Sequence, residues 1–381
     1  MQLSIIILNY NVSHFLQLCL TSVQEAIELI DAEIIVVDNN STDGSCDMVN
    51  SMFPNVKLIE NKQNYGFPKG NNIGVAIAKG EYICILNPDT VVAEDTFTKI
   101  FNSKIFTQNK SHIGIIGVKL INGAGHFLPE SKRGVPTPFT AFTKIFGLYK
   151  FSNFFGKYYA QHLLQNQSGE VEILVGAFMF MKRELYLEIG GFDDNCFMYS
   201  DDIDLSYMVL QKGLKNFYFH ETSVIHFKGE STVKDETYMK RFQEAMNFFY
   251  KKHFKASAFF SMFMSVGIIL FSFIKKFQGK PRSISKPLRY VLISNNQNLK
   301  NQLEQQLAST VFMQNTSNFV EISKQTEVIF DNNFIDFKTT IQAMEKYKNQ
   351  RFTFKIIPKN AKFMLGSNSS NDRGEVIIFN F

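Results

Sequence analysis

Three segments, far apart in the chain, carry residue types that can do chemistry. Asn87-Pro88-Asp89-Thr90 sets a carboxylate just after an apolar run of strand length. Pro88 has no N–H for a sheet ladder, so the strand must stop there or become an edge. A hard cation such as Mg²⁺ or Mn²⁺ takes one or two carboxylates plus phosphate oxygens, although a plain Asn-Pro-Asp turn would have the same sequence. Ser200-Asp201-Asp202-Ile203-Asp204-Leu205 puts adjacent carboxylates at the head of a helical pattern. The helix dipole suits them there, and one of them can instead take a proton from an attacking hydroxyl. His226 ends the strand-like run Ser223–Ile225. Its imidazole would complement Asp89 at a metal, or be an ordinary core or surface histidine.

Further polar groups fall where apolar runs stop. Asp38, followed by Asn39-Asn40-Ser41, can accept hydrogen bonds from a base imide or a ribose hydroxyl, or simply cap the next helix. Asn64-Tyr65-Gly66-Phe67-Pro68-Lys69-Gly70-Asn71-Asn72 reads as a loop opening a helix. Its glycines permit close backbone approach and its helix start favours anions, but ordinary turns use the same residues. Lys132 and Arg133, in Pro129-Glu130-Ser131-Lys132-Arg133-Gly134, can meet a diphosphate or an anionic lipid carrier, or belong to a solvated loop.

The elements that must hold these groups follow from periodicity. Leu3–Leu8, Ile34–Val37, Val56–Ile59 and Tyr82–Leu86 are apolar runs of strand length. Between them, Leu16, Leu20, Val23, Ile27 and Ile30 recur at helical spacing over 13–30, with Ser13 as the expected N-cap. A helix ending at Met52 and another over Lys69–Ala78 complete the alternation. Apolar strands alternating with helices imply an α/β fold with a mostly parallel sheet covered on both faces. Such sheets bind ligands at the carboxyl ends of their strands, which is where Asn9-Tyr10-Asn11, Asp38 and Asn87-Pro88-Asp89 fall.

With 381 residues, 45% hydrophobic and 20% charged, the chain suits a globular main domain plus a smaller one. A net charge of +5 gives no case for nucleic acid as a partner. Cys19, Cys46, Cys84 and Cys196 form no CxxC pair, which points away from a zinc site or a disulfide framework. The opening apolar run is too short for a signal peptide, so a cytoplasmic, reducing location is the expectation. Residues 251–280 read as a basic-flanked hydrophobic helix. Ala256 to Ile274 is just long enough to span a bilayer, and the lysines at both ends favour an in-plane, amphipathic membrane helix at the inner face, peripheral or monotopic, although a buried core helix packing on the catalytic domain would have the same pattern. Residues 281–381 look like a small separate α/β unit of unknown role, with strands at Tyr290–Ile293, Val328–Phe330, Thr353–Ile357 and Val376–Phe379 and a helix at 297–308.

Taken in order, Asn9-Tyr10-Asn11, Asp38-Asn39-Asn40-Ser41-Thr42-Asp43-Gly44, Asn64-Tyr65-Gly66-Phe67, Asn87-Pro88-Asp89, Gly176-Ala177-Phe178-Met179, Gly190-Gly191-Phe192-Asp193, Asp201-Asp202-Ile203-Asp204 and His226 resemble the inverting GT-A glycosyltransferases of family 2. Within that family they are most similar to the rhamnosyltransferase-like branch of surface polysaccharide synthesis. The resemblance covers about residues 1–250, taken as the catalytic domain. It implies that Asn9, Tyr10 and Asp38 hold the nucleoside and that Asn64, Gly66 and Asn71 lie by the ribose and diphosphate. Asn87 and Asp89 stand where the family has its DxD motif, with Asp89 and His226 as ligands of Mn²⁺ or Mg²⁺. Asp202 matches the family's catalytic base, and Asp201 stands where Glu is more usual. The implied partners are a nucleotide-diphosphate sugar donor, a glycan or lipid-linked acceptor and the cytoplasmic membrane surface. A sugar nucleotidyltransferase would need a basic glycine-rich loop where this chain has Asn9-Tyr10-Asn11. A catalytically inactive scaffold would have no need of Asp89, Asp202 and His226.

Overall fold

The computed structural model describes residues 1–137, 156–196, 198–228, 236–254, 287–316, 325–368 and 374–379. The expected membrane segment, Ala256 to Ile274, lies outside the described residues, and no described helix is long and apolar enough to cross a membrane.

The first unit is built on β1 (Leu3–Asn9), β2 (Ala32–Asp38), β3 (Lys57–Glu60) and β4 (Tyr82–Leu86), all parallel. Beyond β4 the sheet becomes mixed. β8 (Phe178–Lys182) runs antiparallel between β4 and β6 (Ile113–Ile121), and β9 (Lys215–His226) lies parallel to β6. Two short strands, β5 (Thr90–Val91) and β7 (Gly169–Val171), pair antiparallel with β9. The order is thus β3-β2-β1-β4-β8-β6-β9-β5, with β7 also on β9.

Helices α1 (Ser13–Ala26), α2 (Ser45–Met52), α3 (Gly66–Ile77), α4 (Thr96–Asn102), α5 (Lys104–Asn109), α6 (Arg183–Glu188), α7 (Asp201–Gln211) and α8 (Glu236–His253) complete the unit. Successive residues of β1 serve opposite faces, as a strand requires. Leu3, Ile5 and Ile7 join Leu16, Leu20 and Val23 of α1 and Phe97 of α4. Ile6 and Leu8 join Val75 of α3, Tyr186 of α6, and Leu205 and Val209 of α7. Burial on both faces explains why the run reads as continuously apolar. Gly70 and Gly74 let α3 lie close on the sheet: a Cβ at either would come within 2.3 Å of Leu8 or 2.6 Å of Ile6.

Ser13, expected to cap α1, is instead its first helical residue, after Val12. Its amide donates to Asp43 Oδ2 at 2.8 Å, so a carboxylate from the β2–α2 loop supplies the acceptor that the cap would have supplied.

The second unit has β10 (Arg289–Ile293), α9 (Gln297–Leu307), β11 (Val311–Gln314), β12 (Thr326–Asp331), α10 (Phe337–Tyr347), β13 (Thr353–Ile357), β14 (Phe363–Gly366) and β15 (Glu375–Ile378). Its own sheet runs β11-β10-β12-β13-β14-β15, the first four strands parallel. The unit keeps a core of its own, Leu292 and Ile329 with Leu299 and Leu303 of α9, and its other face packs against the first unit. Val12, Phe15, Val91, Ile225 and Phe227 of the first unit pack in one cluster with Val291, Phe330, Phe337, Ile341 and Met344 of the second.

Candidate active site

The polar strand ends meet along one edge of the first sheet. Asn9 and Asp38 end the adjacent strands β1 and β2 and are paired in register. Asn9 Nδ2 donates to Asp38 Oδ1 at 2.7 Å and to Ser41 Oγ at 3.1 Å, and the Ser41 amide donates to Asp38 Oδ2 at 2.7 Å. Asp38 is therefore fixed by its own loop. Tyr10 beside it is partly exposed, open to a stacking partner.

Asn39 carries the network onward. Its Nδ2 donates to Asn64 Oδ1 at 3.2 Å and to the Gly66 carbonyl at 3.1 Å, while Asn61 Nδ2 donates to Asn39 Oδ1 at 2.9 Å. Gly66 adopts φ of +81°, a left-handed conformation that glycine adopts readily, and its amide donates to Asn64 Oδ1. Asn71 is buried, with Nδ2 on the Phe67 carbonyl.

Next along the edge, Asn87, Asp89 and His226 come together. The short β5 pairs with the end of β9 so that Thr90 faces His226. His226 Nε2 lies 3.2 Å from Asn87 Nδ2 and 3.4 Å from Asp89 Oδ1. The Lys228 amide donates to Asp89 Oδ2 at 3.0 Å. Burial works against the Asp89 charge, but His226 and that amide outweigh it and hold the carboxyl below its ordinary value.

Asp201 and Asp202 open α7 and are buried. Asp202 Oδ2 accepts from Arg133 Nη2 at 2.5 Å and from the Gly176 amide at 3.2 Å, and Asp202 Oδ1 has no hydrogen-bond partner among the described residues. Burial, then the neighbouring Asp202 carboxylate, push Asp201 up to about 7. The segment Gly176-Ala177 joins this pair to the rest, because the Asn87 amide donates to the Ala177 carbonyl at 3.1 Å.

Arg133 therefore meets a carboxylate in this structure. Lys132 differs from the expectation for its loop. Its Nζ donates to the carbonyls of Tyr159 and Ala160 at 3.1 and 3.0 Å, so the ammonium is used to fasten the chain and is not offered to a ligand. The reason is local: Arg133 pairs as a β-bridge with Ile173, and neighbours in an extended segment point to opposite sides. Sequence reasoning also missed Glu130 and Lys228. They form an ion pair next to His226 in which the lysine's charge more than offsets the effect of burial on the carboxyl. Nothing in the sequence separates them from other loop charges.

Several buried polar atoms of this edge lack a partner among the described residues: Asn9 Oδ1, Asn71 Oδ1, Asn87 Oδ1, His226 Nδ1 and Arg133 Nε. Buried polar groups are ordinarily paired, so this cluster marks a place where a ligand completes the hydrogen bonding. The set also fits a hard cation. Asp89 oxygen and His226 nitrogen are adjacent, and no third His, Cys, Asp or Glu joins them among the described residues. Its remaining positions would fall to phosphate oxygens, as Mg²⁺ and Mn²⁺ prefer.

An α/β sheet with polar loops at its carboxyl edge is an arrangement that binds ligands there. Residues 4–190 match the family model described as glycosyl transferase family 2, and the chain carries a domain of that family. Among similar proteins is an N-acetylglucosaminyl-diphospho-decaprenol L-rhamnosyltransferase of Mycobacterium tuberculosis, 23% identical over 246 residues, which are 61% of this chain and 78% of that protein. A poly(ribitol-phosphate) beta-glucosyltransferase of Bacillus spizizenii is 36% identical over 136 residues, 34% of this chain but only 21% of that protein. A solved mannosyltransferase from Pyrobaculum calidifontis, in complex with GDP-Man and Mn²⁺, superposes with a TM-score of 0.47 at 16% identity, covering 74% of this chain and 76% of that one.

Proposed function

We propose that this glycosyltransferase moves a sugar from a nucleotide-diphosphate donor to a hydroxyl of a glycan or lipid-linked acceptor, with inversion, in the synthesis of a cell-surface polysaccharide or glycan. The observation that carries this reading is the pinned carboxylate of Asp202. Arg133 and the Gly176 amide occupy Oδ2, which leaves Oδ1 to receive the acceptor's proton. Asp202 needs no covalent role, because single displacement at the anomeric carbon uses only a base on one side and a stabilised leaving group on the other.

In this reading Asp38 and Asn9 bind the nucleoside, with Tyr10 against the base, and Asn64, Gly66 and Asn71 lie along the ribose and diphosphate. Asp89 and His226, with Asn87 beside them, hold Mn²⁺ or Mg²⁺, which would neutralise charge growing on the leaving diphosphate. Asp201, near half-protonated at neutral pH, limits the repulsion beside the base. What favours L-rhamnose as the sugar is the name of the mycobacterial relative. The apolar, lysine-flanked stretch 256–274 favours a site of action at the cytoplasmic face of a membrane, where a lipid-linked acceptor would be met.

A screen of nucleotide sugars, with and without Mn²⁺, tests the proposal by product formation and by the configuration of the new linkage. Asp202→Asn should lower transfer about 10²–10⁴-fold while nucleotide binding stays nearly intact. Turnover near the wild-type rate in that variant removes Asp202 from the mechanism.

A further inference from the structure

The shared core of the two units lies next to Asp89 and His226. Val91 and Ala93 follow Asp89 within four residues, and Ile225 and Phe227 flank His226; all four belong to the cluster built with the second unit. β5 has only two residues and ends the sheet order beside β9. So short an edge strand cannot fix the Asp89 loop by its own hydrogen bonds, since even a full isolated hairpin is marginal in water.

α10 of the second unit supplies what is lacking. Glu94, just beyond β5, accepts from the Phe337 amide at 2.6 Å and the Lys338 amide at 2.9 Å. A carboxylate from the catalytic unit thereby satisfies the open amides at the start of α10, where the helix dipole favours it. Asp95 pairs with Lys338 Nζ at 2.6 Å. Near the other end of α10, Glu345 pairs with Lys119 of β6 at 2.6 Å and accepts from Ser223 Oγ of β9 at 2.9 Å. A helix of 11 residues is about 16 Å long. α10 therefore ties the chain just after Asp89 to the strand that ends in His226. The fit is close: a Cβ on Gly125, in the turn after β6, would come within 2.2 Å of the Met344 carbonyl.

We propose that the C-terminal unit is a brace for the Asp89–His226 pair, with Glu94 and Glu345 as positioning residues that act through α10. The inference rests on the reading that this pair holds the divalent cation. It gives the second unit a task in the reaction that needs no ligand of its own. In the full-length protein, Mn²⁺ binding is measured directly by the loss of the free-ion EPR signal, with Mn²⁺ alone as the probe. Glu94→Ala and Glu345→Ala should each weaken binding about tenfold, the scale on which groups supporting metal ligands act. Glu94→Gln keeps one acceptor for the helix amides and should recover part of the loss. His14→Ala removes the edge-on ring contact with Phe363 elsewhere on the same interface and should leave Mn²⁺ affinity unchanged. A merely structural role would lower the melting temperature of all the alanine variants without this selectivity. Equal Mn²⁺ affinity in every variant, or an equal loss in His14→Ala, overturns the brace and leaves the metal reading standing. Failure of the wild-type protein to bind Mn²⁺, both alone and with a nucleoside diphosphate present, overturns the metal reading, and the brace with it.

Discussion

Replacing Asp201 by Asn should stabilise the protein, and by an amount that depends on pH. Asp201 is buried beside Asp202, and its carboxyl is pushed from the ordinary 3.8 up to about 7. In the unfolded chain it ionises near pH 4. Between about pH 4 and about pH 7 the folded protein thus holds a proton that the unfolded chain has released, and stability falls as pH rises through that window. The shift is about three units, and at about 1.4 kcal/mol per unit the loss has a ceiling of about 4 kcal/mol. Asn has nearly the same shape and carries no charge, so it escapes this loss. The backbone hydrogen bonds that Asp201 and Tyr199 give the carboxylate are already contained in that shift. A gain of at most about 4 kcal/mol above pH 7 follows, shrinking to nothing near pH 4. Urea unfolding of the wild type and Asp201→Asn at pH 4.5, 6 and 8 measures it. A difference that stays constant across the three pH values, or grows toward acid, refutes the argument that Asp201 is a raised carboxyl.

Arg133→Gln should destabilise by about 3–5 kcal/mol, because it leaves Asp202 buried without its counter-charge. Adding Asp202→Asn should return most of that loss, which a double-mutant cycle in urea reads directly. Asp202→Asn alone should lower transfer about 10²–10⁴-fold, the usual worth of a general base, with nucleotide affinity by calorimetry changed less than about twofold. Deleting residues 256–274 should move the protein from the membrane fraction to the supernatant, and unchanged membrane recovery refutes an anchoring role for that stretch.

Much of the fold is legible because its signals are local. Tyr82–Leu86 and Thr353–Ile357 coincide with the strands expected of them, since each is a short β-branched or aromatic run ended by a Pro or turn residues. α10 carries a local signal too: Phe337, Ile341 and Met344 recur at helical spacing after Asp336, whose side chain caps the Thr339 amide at 2.6 Å. The four-residue strands β11 and β14 carry too little pattern to separate them from loops.

The site divides along the same line. That Asp38, Asp89 and His226 fall at strand ends is a local property of apolar runs that stop. Which group each side chain meets is decided by how elements dock. Arg133 and Asp202 are 69 residues apart, and Glu94 lies 243 residues from the helix start it caps. Lys132 and Arg133 make the point most sharply, since two neighbouring cations in one loop take opposite tasks. One locks a turn to two carbonyls and the other holds the carboxylate assigned to the base, because a β-bridge to Ile173 sets which of them faces α7. Charge in a motif therefore indicates where chemistry is available, and the register of the neighbouring strand decides which residue performs it.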